Sequence, residues 1–224
     1  MVPDYLEEWK TAITISNKFD TILGDLRKYG FSLITGLITA GNFLGYSFSS
    51  SATINFGLIQ IGVISITMLL VVILFWLDVY YQNLLYGSVF RTRFLEYFRV
   101  KFRLSRFISG IYNETGINKS SLSAVLYVVY YGFLSCGFAI GLISYQISYT
   151  KFPNYEGVII LITFFIISII LMLIITFKSI FKRQDKLNRL ELIIVEGSKK
   201  GNELSESEIY ELEEKILGEF KKAT

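Results

Sequence analysis

The chain has 224 residues, of which 52% are hydrophobic, 16% aromatic and only 18% charged, with a formal net charge of +3. Its mean hydropathy is +0.49; soluble globular chains carry about a quarter charged residues, so neither a disordered nor an ordinary soluble chain is expected. There is no histidine and a single cysteine, Cys136, which excludes Ser-His-Asp and Cys-His catalysis, histidine metal sites, cysteine zinc clusters and an intrachain disulfide.

The N-terminal segment, residues 1–30, is predicted to be an amphipathic helix. Leu6, Trp9, Ile13, Phe19, Ile22, Leu23, Leu26 and Tyr29 approximate a helical stripe, and Pro3 and Asp4 suit a helix start. Such a helix suits a bilayer surface or other cytoplasmic helices. Gly30 is expected to bend the join between this helix and the apolar run that begins at Phe31. The acidic residues among 4–25 rule against a secretory leader.

Charge-free runs define the next elements, because a charged side chain near the bilayer centre costs roughly 3 kcal/mol. No Asp, Glu, Lys or Arg lies between Lys28 and Asp78. A crossing needs about 20 residues, so this run is expected to hold two spans, near 31–48 and 55–77, joined by a small polar turn at 49–53. A third span is expected at 122–145 and a fourth at 157–177. The expected fold class is therefore all-α: a polytopic membrane protein with four transmembrane helices and a helical cytoplasmic layer. Its parts are the amphipathic helix 1–30, a first hairpin 31–79, a basic–aromatic loop 80–121, a second hairpin 122–180 and a cytoplasmic helical hairpin 181–224.

Lysine and arginine sort these parts. The five segments outside the spans hold four, none, seven, one and ten of them in chain order. By the positive-inside rule, both termini and the middle loop face the cytoplasm of an inner or plasma membrane. The second span is expected to run on as helix beyond the bilayer, with a weak point at Gly87-Ser88.

Beyond it, Arg91, Arg99, Arg103 and Arg106 fall on one side of a helical wheel and Phe90, Phe94, Tyr97, Phe98 and Phe102 on the other. Positive-inside anchoring is the first reading of this pattern, binding of anionic lipid headgroups or an acidic partner the second, and nucleic acid the last. In the tail, residues 186–196 and the stretch beginning at Ser205-x-x-Glu208 predict a helical hairpin, the second arm opening on a capping box. That pattern resembles short helical oligomerisation modules appended to bacterial membrane proteins, over under a fifth of the chain, and is too generic to imply a function. Glu203, Glu206, Glu208, Glu211, Glu213 and Glu214 make this arm acidic; it either docks on Arg91–Arg106, within one chain or between subunits, or presents a solvated charged face.

Lipid offers no hydrophobic drive for helix association, so small residues and polar groups mark contacts. Gly36, Gly41 and Gly45 in the first span and Gly132, Gly137 and Gly141 in the third share one spacing. This suggests a tandem repeat and places the first and third spans centrally, with the second and fourth more lipid-facing. Thr35, Thr39, Asn42 and Tyr46 form a polar stripe, and Tyr131, Ser135 and Gln146 a looser one; either could line a water path or join helices by hydrogen bonds. Asp78, at the cytoplasmic edge of the second span, is expected to pair with Arg27, Arg91 or headgroups. No nucleotide, metal or redox motif occurs, and no cofactor or catalysis is expected. The functional expectation is a non-enzymatic, homo-oligomeric membrane anchor or effector working through its cytoplasmic helices, with a cytoplasmic protein as possible partner. The alternatives are a small channel and an anionic-lipid-binding protein.

Overall fold

A computed structural model describes residues 5–47, 56–99, 119–149, 156–178 and 205–221, and among these the chain is all-helical. The helices are α1 (Tyr5–Ser47), α2 (Phe56–Phe98), α3 (Lys119–Tyr149), α4 (Glu156–Thr176) and α5 (Glu206–Lys221). The chain's two prolines are Pro3 and Pro153, so nothing in α1, α2 or α3 removes a backbone donor, and each runs long. Glu7 and Glu8 in the first turn of α1 complement its dipole. Ser205 starts α5: Glu208 accepts hydrogen bonds from the Ser205 amide and hydroxyl, both at 2.8 Å, half of a reciprocal capping box.

Among the described residues, two helices are long and apolar enough to cross a bilayer, α2 over Ile59–Glu96 and α4 over Glu156–Thr176; α3 contributes a shorter apolar stretch, Tyr127–Ile143. Both candidate crossings are compatible with a membrane location.

The residues group into two compact units. The first comprises Met1–Asp20, Gln82–Ile117 and Thr176–Thr224, and the second Thr21–Tyr81 and Asn118–Ile175. In the first, Phe94 and Phe98 of α2 pack with Ile216 of α5, flanked by Phe90, Ile209 and Leu212. The apolar face of α5 is what makes it fold there, since an isolated helix of its length is marginal in water.

In the second unit α2 is the central element. Ile61, Ile64, Met68, Val71, Phe75 and Val79 are buried, whereas α4 buries only Gly157, Leu161, Ser168 and Met172 and leaves Ile159, Ile166, Ile170 and Leu173 exposed. This corrects the expectation that the first and third spans are central and the second lipid-facing. The bulky side chains of α2 fill the interior, while a Cβ on Gly36 or Gly132 would meet nothing within 4 Å. The other glycines do serve close approach. A Cβ on Gly41 would lie 3.1 Å from Val63 Cγ1, on Gly137 3.6 Å from Met68 Cε, and on Gly141 2.6 Å from Leu161 Cδ2. Gly41 and Gly137 thus both approach α2, and Gly141 approaches α4.

Gly30 does not interrupt α1. Its missing side chain admits Leu74, whose Cδ1 would be 3.0 Å from a Cβ there. Gly87-Ser88 does not interrupt α2 either: the Ser88 hydroxyl donates to the Leu85 carbonyl at 2.9 Å and accepts from Ser16 at 2.8 Å, stitching α1 to α2 within the first unit. The expected turn at 49–53 and the expected helix at 186–196 lie outside the described residues.

Candidate functional site

The second unit contains a buried charge centre on Asp78, whose side chain is 2% exposed. Arg27 of α1 grips it with one edge of its guanidinium: Nε donates to Oδ2 at 3.1 Å and Nη2 to Oδ1 at 2.8 Å. Tyr130 of α3 donates its hydroxyl to Oδ2 at 3.0 Å. Three helices therefore meet at one carboxylate. The surroundings are aromatic, with Phe31 and Phe75 set edge-on to the Tyr130 ring at centroid distances of 5.4 and 5.3 Å. A charge in such surroundings is tolerated only when paired and hydrogen-bonded, and this one is both. Arg27 pairing was one of three options the sequence offered. Tyr130 was missed, its neighbour Tyr131 having been singled out instead; the Tyr131 hydroxyl is buried and makes no hydrogen bond.

The polar stripes lie elsewhere. Thr35 and Thr39 are exposed on the unit, and each hydroxyl donates to its own helix four residues back, to Phe31 and Thr35 respectively, both at 2.9 Å. Ser135 and Gln146 are exposed as well, as are Gly36 and Gly132. The side chains of Asn42 and Tyr46, and the surroundings of Gly45, are outside the described residues. The stripes are therefore not gathered around a common interior among the described residues.

The first unit holds the second charged cluster. Arg91 of α2 lies between glutamates of two helices: its Nε and Nη2 donate to Glu8 Oε1 of α1, and its Nη1 donates to Glu213 Oε1 of α5 at 2.6 Å. Burial alone would lower the Arg91 pKa, but the bonds to Glu213 and Glu8 outweigh it and hold it above the ordinary value. Arg99 lies over two tyrosine rings, its guanidinium carbon 4.6 Å from the Tyr5 centroid and 4.5 Å from that of Tyr210. The two hydroxyls share a hydrogen bond of 3.2 Å, which raises the pKa of the Tyr5 phenol against the opposing pull of Arg99. Trp9 donates its indole N–H to Glu96 at 3.0 Å, giving that buried carboxylate a partner.

So the acidic arm meets Arg91 and Arg99 through Glu213; Arg103 and Arg106 lie outside the described residues. Sequence reasoning missed Glu8, Tyr5, Tyr210 and the Trp9–Glu96 bond. A hint was present for Glu8 and Trp9, which sit on the helix expected to pack against other cytoplasmic helices. Nothing local pointed to a tyrosine pair 205 residues apart. No group of His, Cys, Asp and Glu among the described residues could hold a metal ion. No family model, no curated protein and no solved structure matches this chain.

Proposed function

We propose that the chain is a multi-pass membrane protein crossing an inner or plasma membrane four times, with both termini and residues 80–121 in the cytoplasm. In this reading it is a non-enzymatic, homo-oligomeric module that anchors a cytoplasmic partner or acts as an effector through α5 and the adjoining parts of α1 and α2. The observation that carries it is the open small-residue face of α3. Val128, Gly132, Ser135, Cys136, Ala139 and Ile143 recur at helical spacing, are exposed on the second unit, and space remains above Gly132. In lipid, faces of this kind are where helices approach closely, and the exposed surface of α4, apolar but for Glu156 at its start and Thr163, gives a bilayer something to cover. The absence of catalysis rests on the sequence, which lacks histidine and every motif that would converge on a site.

Native mass spectrometry from mild detergent tests this reading. The wild-type chain is expected as an oligomer and Gly132→Leu as a monomer of unchanged fold; a monomeric wild type removes the oligomeric reading. The channel alternative changes form, because Thr35 and Thr39 lie on the outside of the unit and bond to their own helix. A water path lined by this stripe would have to form between copies, and single-channel currents unchanged by Asn42→Leu would remove it.

A further inference from the structure

The Nε–Nη2 edge of an arginine is a planar fork that fits a carboxylate or a phosphate with two parallel hydrogen bonds. Arg27 uses this edge on Asp78. Arg99 does not. Its side chain is only 4% exposed, yet Nε and Nη2 are both buried and make no hydrogen bond. Glu213 Oε2 stands 3.6 Å from Nη2, beyond hydrogen-bonding range. Glu213 spends its other oxygen on Arg91 at 2.6 Å. One planar carboxylate is thus divided between two arginines and satisfies only one of them.

A tetrahedral phosphate has oxygens enough for both: one for Arg91 and a pair for the Arg99 fork. The tyrosines suit the same task, because their rings hold the guanidinium carbon at 4.6 and 4.5 Å without occupying Nε or Nη2. Glu213 is the replaceable member, being 19% exposed and carried on α5, the shortest of the helices.

We propose that Arg91 and Arg99, framed by Tyr5 and Tyr210, form a phosphate-binding site that Glu213 holds in the absence of ligand, and that phosphate displaces Glu213 and loosens α5 from the unit. Tyr210 shares α5 with Glu213, so displacing the carboxylate also weakens one of the two ring contacts to Arg99. The phosphate comes either from a lipid headgroup or from a soluble compound. This rests on the reading that the first unit lies in water beside a bilayer. Soluble phosphate reaches both faces of a nanodisc, so an error in sidedness does not alter that part of the test.

The experiment uses the full chain with Cys136→Ser and a spin label at Glu214→Cys, in nanodiscs of neutral phosphatidylcholine or of phosphatidylcholine with phosphatidic acid. Inorganic phosphate is titrated against chloride at equal ionic strength, which removes simple screening. Label mobility is expected to rise with inorganic phosphate, with phosphatidic acid, or with both; a response to phosphatidic acid alone assigns the site to headgroups. Glu213→Gln, which removes the competing charge, is expected to tighten phosphate binding measured by calorimetry by about tenfold. Arg99→Lys, which keeps the charge but loses the fork, is expected to weaken it by about tenfold. Mobility that answers to neither probe, or to chloride equally, overturns the proposal, as does the absence of phosphate binding by Glu213→Gln.

Discussion

The two charged clusters solve the same problem with opposite results. In the second unit, one carboxylate is matched by a full arginine fork and a tyrosine hydroxyl, and its side chain is 2% exposed. In the first unit, Arg91 is shared between Glu8, 41% exposed, and Glu213, 19% exposed, while the fork of Arg99 makes no hydrogen bond. The first arrangement is a fixed joint: every partner is committed, and losing one strands a buried charge. The second is exchangeable, because partly exposed pairs contribute little and water can replace them. A chain that needs a constant packing of helices α1, α2 and α3 and a releasable α5 would be built in this way.

Substitutions sharpen the contrast. Asp78→Ala strands Arg27 beside an aromatic interior and is expected to cost about 3 kcal/mol, the lower end for a broken buried pair because Arg27 is 27% exposed. Denaturation in detergent measures it, and joint replacement by Arg27→Met and Asp78→Leu should recover much of the loss; no recovery would mean that the charge was not the cause. Gly141→Leu forces a side chain into Leu161 and is expected to cost roughly 2 kcal/mol, whereas Gly132→Leu, which meets open space within one copy, should cost only what contact between copies contributes, a difference that disappears on dilution in detergent. Tyr130→Phe keeps the ring contacts and removes one hydrogen bond to a carboxylate, an expected loss of about 1.5 kcal/mol. Glu8→Gln should be the mildest, below about 0.5 kcal/mol, since its partner retains Glu213 and its side chain is partly in water. A cost for Glu8→Gln equal to that of Asp78→Ala would erase the distinction between the clusters.

Helix content is legible in the sequence because its signals are local. The charge-free runs, the scarcity of proline and the capping residues at Ser205 and Glu208 each act within a few positions. The depth of each helix in the packing is not legible in the same way. The glycines at 36 and 132 suggest close contacts, but an approach needs a partner of matching shape, which those at 30, 41, 137 and 141 have and these two lack among the described residues. The bulk of α2 decides the interior instead. Similarly, Asp78 at the end of an apolar run announces a charge that needs a partner, and Arg27 is within reach of that argument. Tyr130 is not, because α3 has many tyrosines and only tertiary packing distinguishes one ring position from the next. Gly30 and Gly87 show the converse. Each weakens a helix by about 1 kcal/mol relative to alanine, and contacts with Leu74 at the first and the serine bonds at the second keep the helices continuous.

The most direct check of the membrane reading uses the single native thiol. Cys136 is exposed on α3, on the face assigned to lipid and a second copy. In sealed vesicles, a membrane-impermeant maleimide is expected to leave Cys136 unmodified from either side. In a Cys136→Ser background, cysteines replacing Lys10 and Glu214 should both react from the cytoplasmic side alone. Ready labelling of Cys136 in intact vesicles, or reaction of the Lys10 and Glu214 replacements from opposite sides, would contradict it.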